Sequence, residues 1–98
     1  MLPKSVRHQL IRFFSRFPGI KSVILFGSRS RGDADTYSDV DIAISAPRVN
    51  QRQWLDIAFF LTEEMNSLLS FDVVRLEEAS SRLKKRIQNE GKLLYGKK

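Results

Sequence analysis

The sequence predicts an α+β fold (mixed α/β), a small mixed β-sheet packed against helices. Three observations carry this. Residues 4–17 and 50–69 place apolar side chains at helical spacing. Residues 20–26, 39–44 and 71–76 form short apolar runs of strand character. The gaps between them are short, as in one packed unit. The chain has 98 residues, 42% of them hydrophobic. That length fits a single domain, 1–98, with a modest core.

The elements follow in order. Val6, Leu10, Phe13, Phe14 and Phe17 give residues 4–17 one apolar helical face, which Pro18-Gly19 ends. Ile20 to Phe26 reads as a buried strand bounded by glycines. Gly27 to Ser38 mixes Gly, Ser, Arg and Asp without apolar periodicity, so it is a loop with a short helical turn after Ser28. Asp39 to Ile44 alternates with period two, as a strand does, until Pro47 stops it. Asn50 and Gln53 form a capping box for a helix reaching about Leu69, lined by Trp54, Ile57, Ala58, Leu61, Met65 and Leu68. Phe71 to Leu76 is a third strand. A last helix is expected from about Ser80 to Tyr95, with Leu83, Ile87 and Leu94 on one side. Counting the turn after Ser28, the order is α-β-α-β-α-β-α.

Composition narrows the function. There is no cysteine, so disulfides, thiolate chemistry and Cys-based zinc sites are excluded. No apolar run approaches the ~20 residues of a membrane span, and the N-terminal residues are amphipathic and unlike a signal peptide. A cytoplasmic protein without a membrane partner is expected. The net charge of +6 suits a polyanionic partner such as nucleotide, nucleic acid or an acidic protein. Much of the excess lies in Arg82, Lys84, Lys85, Arg86, Lys92, Lys97 and Lys98.

The chemistry gathers at three acids and one loop. Strand residues two apart share a face, about 6–7 Å between Cα atoms, so Asp39 and Asp41 project together while Val40, Ile42 and Ile44 face the core. Two such carboxylates repel, and a cation between them relieves the repulsion. Mg²⁺ prefers oxygen ligands and keeps waters that phosphates replace. Asp72, flanked by Phe71 and Val73, joins them if its strand is a neighbour. Three carboxylates around two divalent ions form a clamp for in-line phosphoryl chemistry. Just upstream, Gly27 lets backbone amides approach a phosphate, and Ser28 adds a hydroxyl and an N–H. Arg29 and Arg31 add charge-assisted contacts.

Gly27-Ser28, ten residues, then Asp39-Val40-Asp41 resembles the GS-x10-DxD signature of the DNA polymerase β-like nucleotidyltransferase superfamily. The fuller string GSRSRG…SDVD resembles its minimal subgroup, the MNT proteins paired with HEPN proteins. Asp72 in FDVV matches the subgroup's third carboxylate, and Arg86-Ile87…Glu90-Gly91…Leu94-Tyr95 resembles its last helix. The resemblance implies a nucleotidyltransferase fold and an ATP substrate. It implies two Mg²⁺ ions on Asp39, Asp41 and Asp72, with the triphosphate on Gly27 and Ser28. It also implies the role of an antitoxin that transfers AMP to a tyrosine of a HEPN toxin. Larger members of the superfamily carry a second domain that grips base or acceptor, so here a partner is expected to supply the acceptor.

Other readings of these residues are weaker. An isolated DxD is more often an ordinary acidic pair, but the GS loop and a third acid at these positions outweigh that. The loop lacks the Gly-Lys-Ser/Thr ending of a P-loop. His8, the only histidine, fits a helix surface. Phe59 and Phe60 are adjacent and cannot both face one core, so one is expected to meet a partner. Two other functions compete: a non-catalytic subunit that neutralises a HEPN partner by contact, and nucleotidyl transfer to RNA or a small molecule. The basic C-terminal segment keeps nucleic acid open as a partner, though not as the favoured one.

Overall fold

In a computed structural model, the structure describes residues 4–27, 40–64 and 71–96. Helix α1 (Lys4–Ser15) leads into β1 (Ser22–Phe26), and β2 (Val40–Ser45) into α2 (Gln51–Glu64). Strand β3 (Phe71–Arg75), a single 3₁₀ turn (Leu76–Glu78), α3 (Ser81–Glu90) and β4 (Lys92–Gly96) complete the order. The described strands form one sheet in the order β3-β2-β1-β4. β1 runs antiparallel to both β2 and β4, while β2 and β3 are parallel. The mixed sheet packed by helices is the fold class expected.

Alternation along the strands sorts the two faces. Val23, Leu25, Val40, Ile42 and Ile44 pack with Leu10, Phe13 and Phe14 of α1 and with Trp54, Ile57 and Leu61 of α2. The other face carries Phe26 and Ala43, on which Ile87 of α3 sits, with Ile24, Val74, Leu76 and Leu83 around it. Two helices therefore cover one face and α3 covers part of the other. The larger core drives folding through buried apolar area. His8 is exposed on α1, as expected.

The capping box at α2 forms as its sequence implies. The Asn50 side chain accepts from the Gln53 N–H at 2.8 Å, and the Gln53 side chain accepts from the Asn50 N–H at 2.9 Å. The part of this helix expected beyond Glu64, including Met65 and Leu68, lies outside the described residues, as does the helical turn expected after Ser28.

The last helix is a correction. It was expected to reach Tyr95 and instead stops at Glu90, and Lys92–Gly96 forms β4. Gly91 adopts an extended conformation while its N–H still donates to the Ile87 carbonyl at 2.7 Å. A Cβ there would overlap the Ile24 side chain, so only glycine lets the chain pass this close to β1. Beyond it the register shifts between Val23, which pairs with Tyr95, and Ile24, which pairs with Leu93, so Leu94 and Tyr95 both pack toward the α1 core while Leu93 stays exposed. β4 also covers an edge of β1 that would otherwise be unpaired.

A polar clamp joins the far ends of β2 and β3. The Arg75 guanidinium donates to the carbonyls of Ala46 (2.8 Å) and Val49 (2.6 Å) and lies 5.7 Å from the Trp54 ring centroid. Glu77 accepts from the Ser45 hydroxyl (2.6 Å) and the Ala46 N–H (2.9 Å). Arg75→Ala strands two carbonyls that now have a charged donor. Its unfolding free energy is expected to fall by about 2–3 kcal/mol in a urea titration. Leu55→Ala, at an exposed position on α2, is expected to stay within roughly 0.5 kcal/mol of the parent.

Candidate functional site

The site is built where β1 ends and where β2 and β3 begin. Antiparallel pairing sets Phe26 opposite Asp41, and parallel pairing sets Asp41 opposite Asp72. Registered partners on neighbouring strands point to the same face, and the strands lie about 4.8 Å apart. Phe26, Asp41 and Asp72 therefore form a lateral row on the face that α3 covers. Asp41 is half-buried and Asp72 exposed. Their neighbours along each strand, Ala43 and Val74, belong to the apolar cluster beneath α3. The acids thus stand at the rim of that cluster.

Gly27 continues β1 directly beneath this row. It is buried, with φ of +77°, a left-handed conformation that costs other residues energy. A Cβ on it would overlap Asp41 Oδ2 and come within 3.1 Å of the Asp41 carboxyl carbon. Hence the Asp41 carboxylate rests against the bare Cα where the chain leaves the sheet. The loop expected to bind phosphate starts in contact with one of the expected metal ligands.

Of the residues singled out from the sequence, Gly27, Asp41 and Asp72 come together. Asp39, Ser28, Arg29 and Arg31 lie outside the described residues. Among the described residues, no three His, Cys, Asp or Glu side chains converge. Two carboxylates side by side on one face repel each other, and oxygen donors of this kind suit a hard divalent cation. The described residues therefore fit such an ion with two ligands. A separate cavity of about 310 Å³, lined by Phe17, Val49, Gln53 and Ile57 among others, opens beside the Pro47–Asn50 turn, away from the acids.

Sequence reasoning missed one neighbour of this row. Arg86 counted as part of a basic C-terminal segment and of the resemblance carried by the last helix, with no role at the site. In the structure its guanidinium carbon lies 5.9 Å from the centroid of the Phe26 ring, and its Nε donates to Glu90 at 3.3 Å. The four-residue spacing of Arg86 and Glu90 was the available signal.

A family model described as "Polymerase beta, Nucleotidyltransferase" matches residues 8–98. No curated protein matches the chain significantly. Solved structures do. The chain is similar to a protein in a toxin-antitoxin crystal structure with AMP-PNP, at 29% identity and a TM-score of 0.75, covering 94% of this chain and 74% of that one. It is similar to one in a MntA-HepT toxin-antitoxin structure, at 25% identity and a TM-score of 0.70, covering 97% and 74%. A third structure holds a tri-AMPylated HEPN toxin of Shewanella oneidensis in complex with an MNT antitoxin. There the identity is 26% and the TM-score 0.70, with 96% and 72% covered.

Gly27→Ala tests the contact with Asp41. The backbone alone is expected to cost about 1–2 kcal/mol, with more from the overlap. In a double-mutant cycle read by urea unfolding, Asp41→Ala is expected to relieve part of the Gly27→Ala penalty. Strict additivity would mean that the two residues do not touch.

Proposed function

Since the chain belongs to the polymerase beta nucleotidyltransferase family, we propose that it transfers AMP from ATP to a hydroxyl acceptor, a tyrosine of a partner HEPN toxin. It thereby acts as an antitoxin of the MNT type. One observation carries this reading: Asp41 and Asp72 stand in register on one face, with Gly27 packed against Asp41. The similarity to proteins solved with AMP-PNP and with an AMPylated HEPN toxin supports the nucleotide and the partner.

In this reading Asp41 and Asp72, joined by Asp39, would hold two Mg²⁺ ions. Bound there, the ions would lower the pKa of the attacking hydroxyl and neutralise the leaving pyrophosphate. The chain's own part is orientation. The β2–β3 register sets the spacing of the carboxylates. The left-handed Gly27 lets the backbone turn close to the nucleotide phosphates, where Ser28, Arg29 and Arg31 follow in sequence. The acceptor hydroxyl gives its proton to a carboxylate such as Asp72, its oxygen attacks the α-phosphorus, the bond from that phosphorus to the bridging oxygen breaks, and pyrophosphate departs. The gain comes from holding the reacting groups in line, which is worth several kcal/mol in such sites.

A second reading rests on a different feature. Leu55, Phe59 and Phe60 are exposed on α2, and the two Phe rings contact each other at 5.7 Å. Apolar surface of this kind supports a partner held by contact alone.

The two readings separate in one experiment. With ATP labelled at the α-phosphate, label is expected to reach the HEPN partner, whereas γ-label leaves as pyrophosphate. Asp41→Asn and Asp72→Asn are each expected to reduce transfer at least about 100-fold while the chain stays folded. Transfer of γ-label would mean a kinase. An Asp39/Asp41/Asp72→Asn triple variant that still neutralised the toxin in cells would favour binding over chemistry.

A further inference from the structure

In the transfer reading the acids would hold the cations, but they do not fix where the outer phosphates of the substrate lie. A nucleoside triphosphate brings about four negative charges to a place that already carries Asp41 and Asp72. Two Mg²⁺ ions would offset that charge, and a fixed positive group on the same wall would add direction by setting where the outer phosphates lie. Among the described residues, a cationic side chain, Arg86 of α3, lies over Phe26 at one end of the row Phe26–Asp41–Asp72.

Its mounting is specific. Ile87, the next residue, is buried against Phe26 and Ala43 and fixes the rotation of α3 over the sheet. Arg86 then lies with its guanidinium over the Phe26 ring, an attractive arrangement for a cation. Nε donates to Glu90, one turn on. Among the described residues, the two terminal nitrogens have no recorded acceptor, and the side chain is half exposed. A guanidinium held by one edge presents its other edge as a fork for phosphate oxygens. Phe26 immediately precedes Gly27, so the fork stands beside the start of the loop expected to take phosphate.

We propose that Arg86 is a substrate-binding residue that grips the β- and γ-phosphates of the nucleotide, aimed by Phe26 and Glu90. This rests on the nucleotidyl-transfer reading of the site and adds a phosphate contact from α3. The affinity for triphosphate should therefore depend on Arg86, and the affinity for monophosphate should not.

Calorimetric titration of the whole chain with ATP, AMP and inorganic tripolyphosphate, with Mg²⁺ present, tests this. Arg86→Gln is expected to weaken ATP and tripolyphosphate roughly tenfold to a hundredfold and to leave AMP unchanged. Arg86→Lys, which keeps the charge without the fork, is expected to fall between. Thermal melting of each variant checks that the fold is kept. ATP affinity unchanged in Arg86→Gln would overturn the role of Arg86, and the transfer reading would stand if Asp41→Asn still lost activity. Equal loss for ATP and AMP would also overturn it, because the contact would then not be to the outer phosphates. A parent chain that bound no ATP would overturn both.

Discussion

The parallel register between β2 and β3 is the constraint on which the site depends. Side chains alternate strictly along a strand, so a slip of one residue would send Asp72 to the α1–α2 face and bury a charge in the larger core. Two forces oppose the slip. At the acidic end, Phe71 and Val73 pack with the buried side chains of β2 on the face away from the acids. At the other end, Arg75 and Glu77 together hold the backbone of Ala46 and the Ser45 hydroxyl. Parallel strands have no hairpin to set their pairing. Here a charged clamp and an apolar stripe take that part.

The division of labour between the faces follows from the same alternation. One face is apolar along its length and takes two helices, which supply most of the burial. The other is apolar only toward its middle, where α3 sits, and polar at the end where the acids stand. A chain this small has little core to spare. Gathering the like charges at one rim keeps their repulsion away from the packing that stabilises the fold.

Much of this was legible in the sequence. The α1 stripe, the capping box at Asn50, the strands around Val23 and Ile42 and the shared face of β2's core residues follow from spacing alone. Asp72 was picked out as a charge inside an apolar strand, a costly placement if buried; in the structure it is exposed at the rim, in register with Asp41. β4 was not legible, because Leu83, Ile87 and Leu94 also fit a helical stripe and Gly91 was read through. The close pass of Gly91 beside Ile24 is a tertiary contact, and no local pattern shows it. Arg75 was likewise hidden: the strand pattern gives it no special place, yet its side chain is mostly covered and spans to the Ala46–Val49 turn. The position of Arg86 depends on how α3 is rotated, which burial of Ile87 decides.

That rotation is locked by the shortness of the join after α3. A single residue, Gly91, separates the helix from β4, whose first residue pairs with Leu25. The join is therefore a stiff elbow rather than a tether. A residue added in the last turn before it would rotate the helix face relative to β4 by roughly 100°. Ile87 would leave its seat and the helix would lose its grip on the sheet. Natural variation in chain length should accordingly be rare at this elbow.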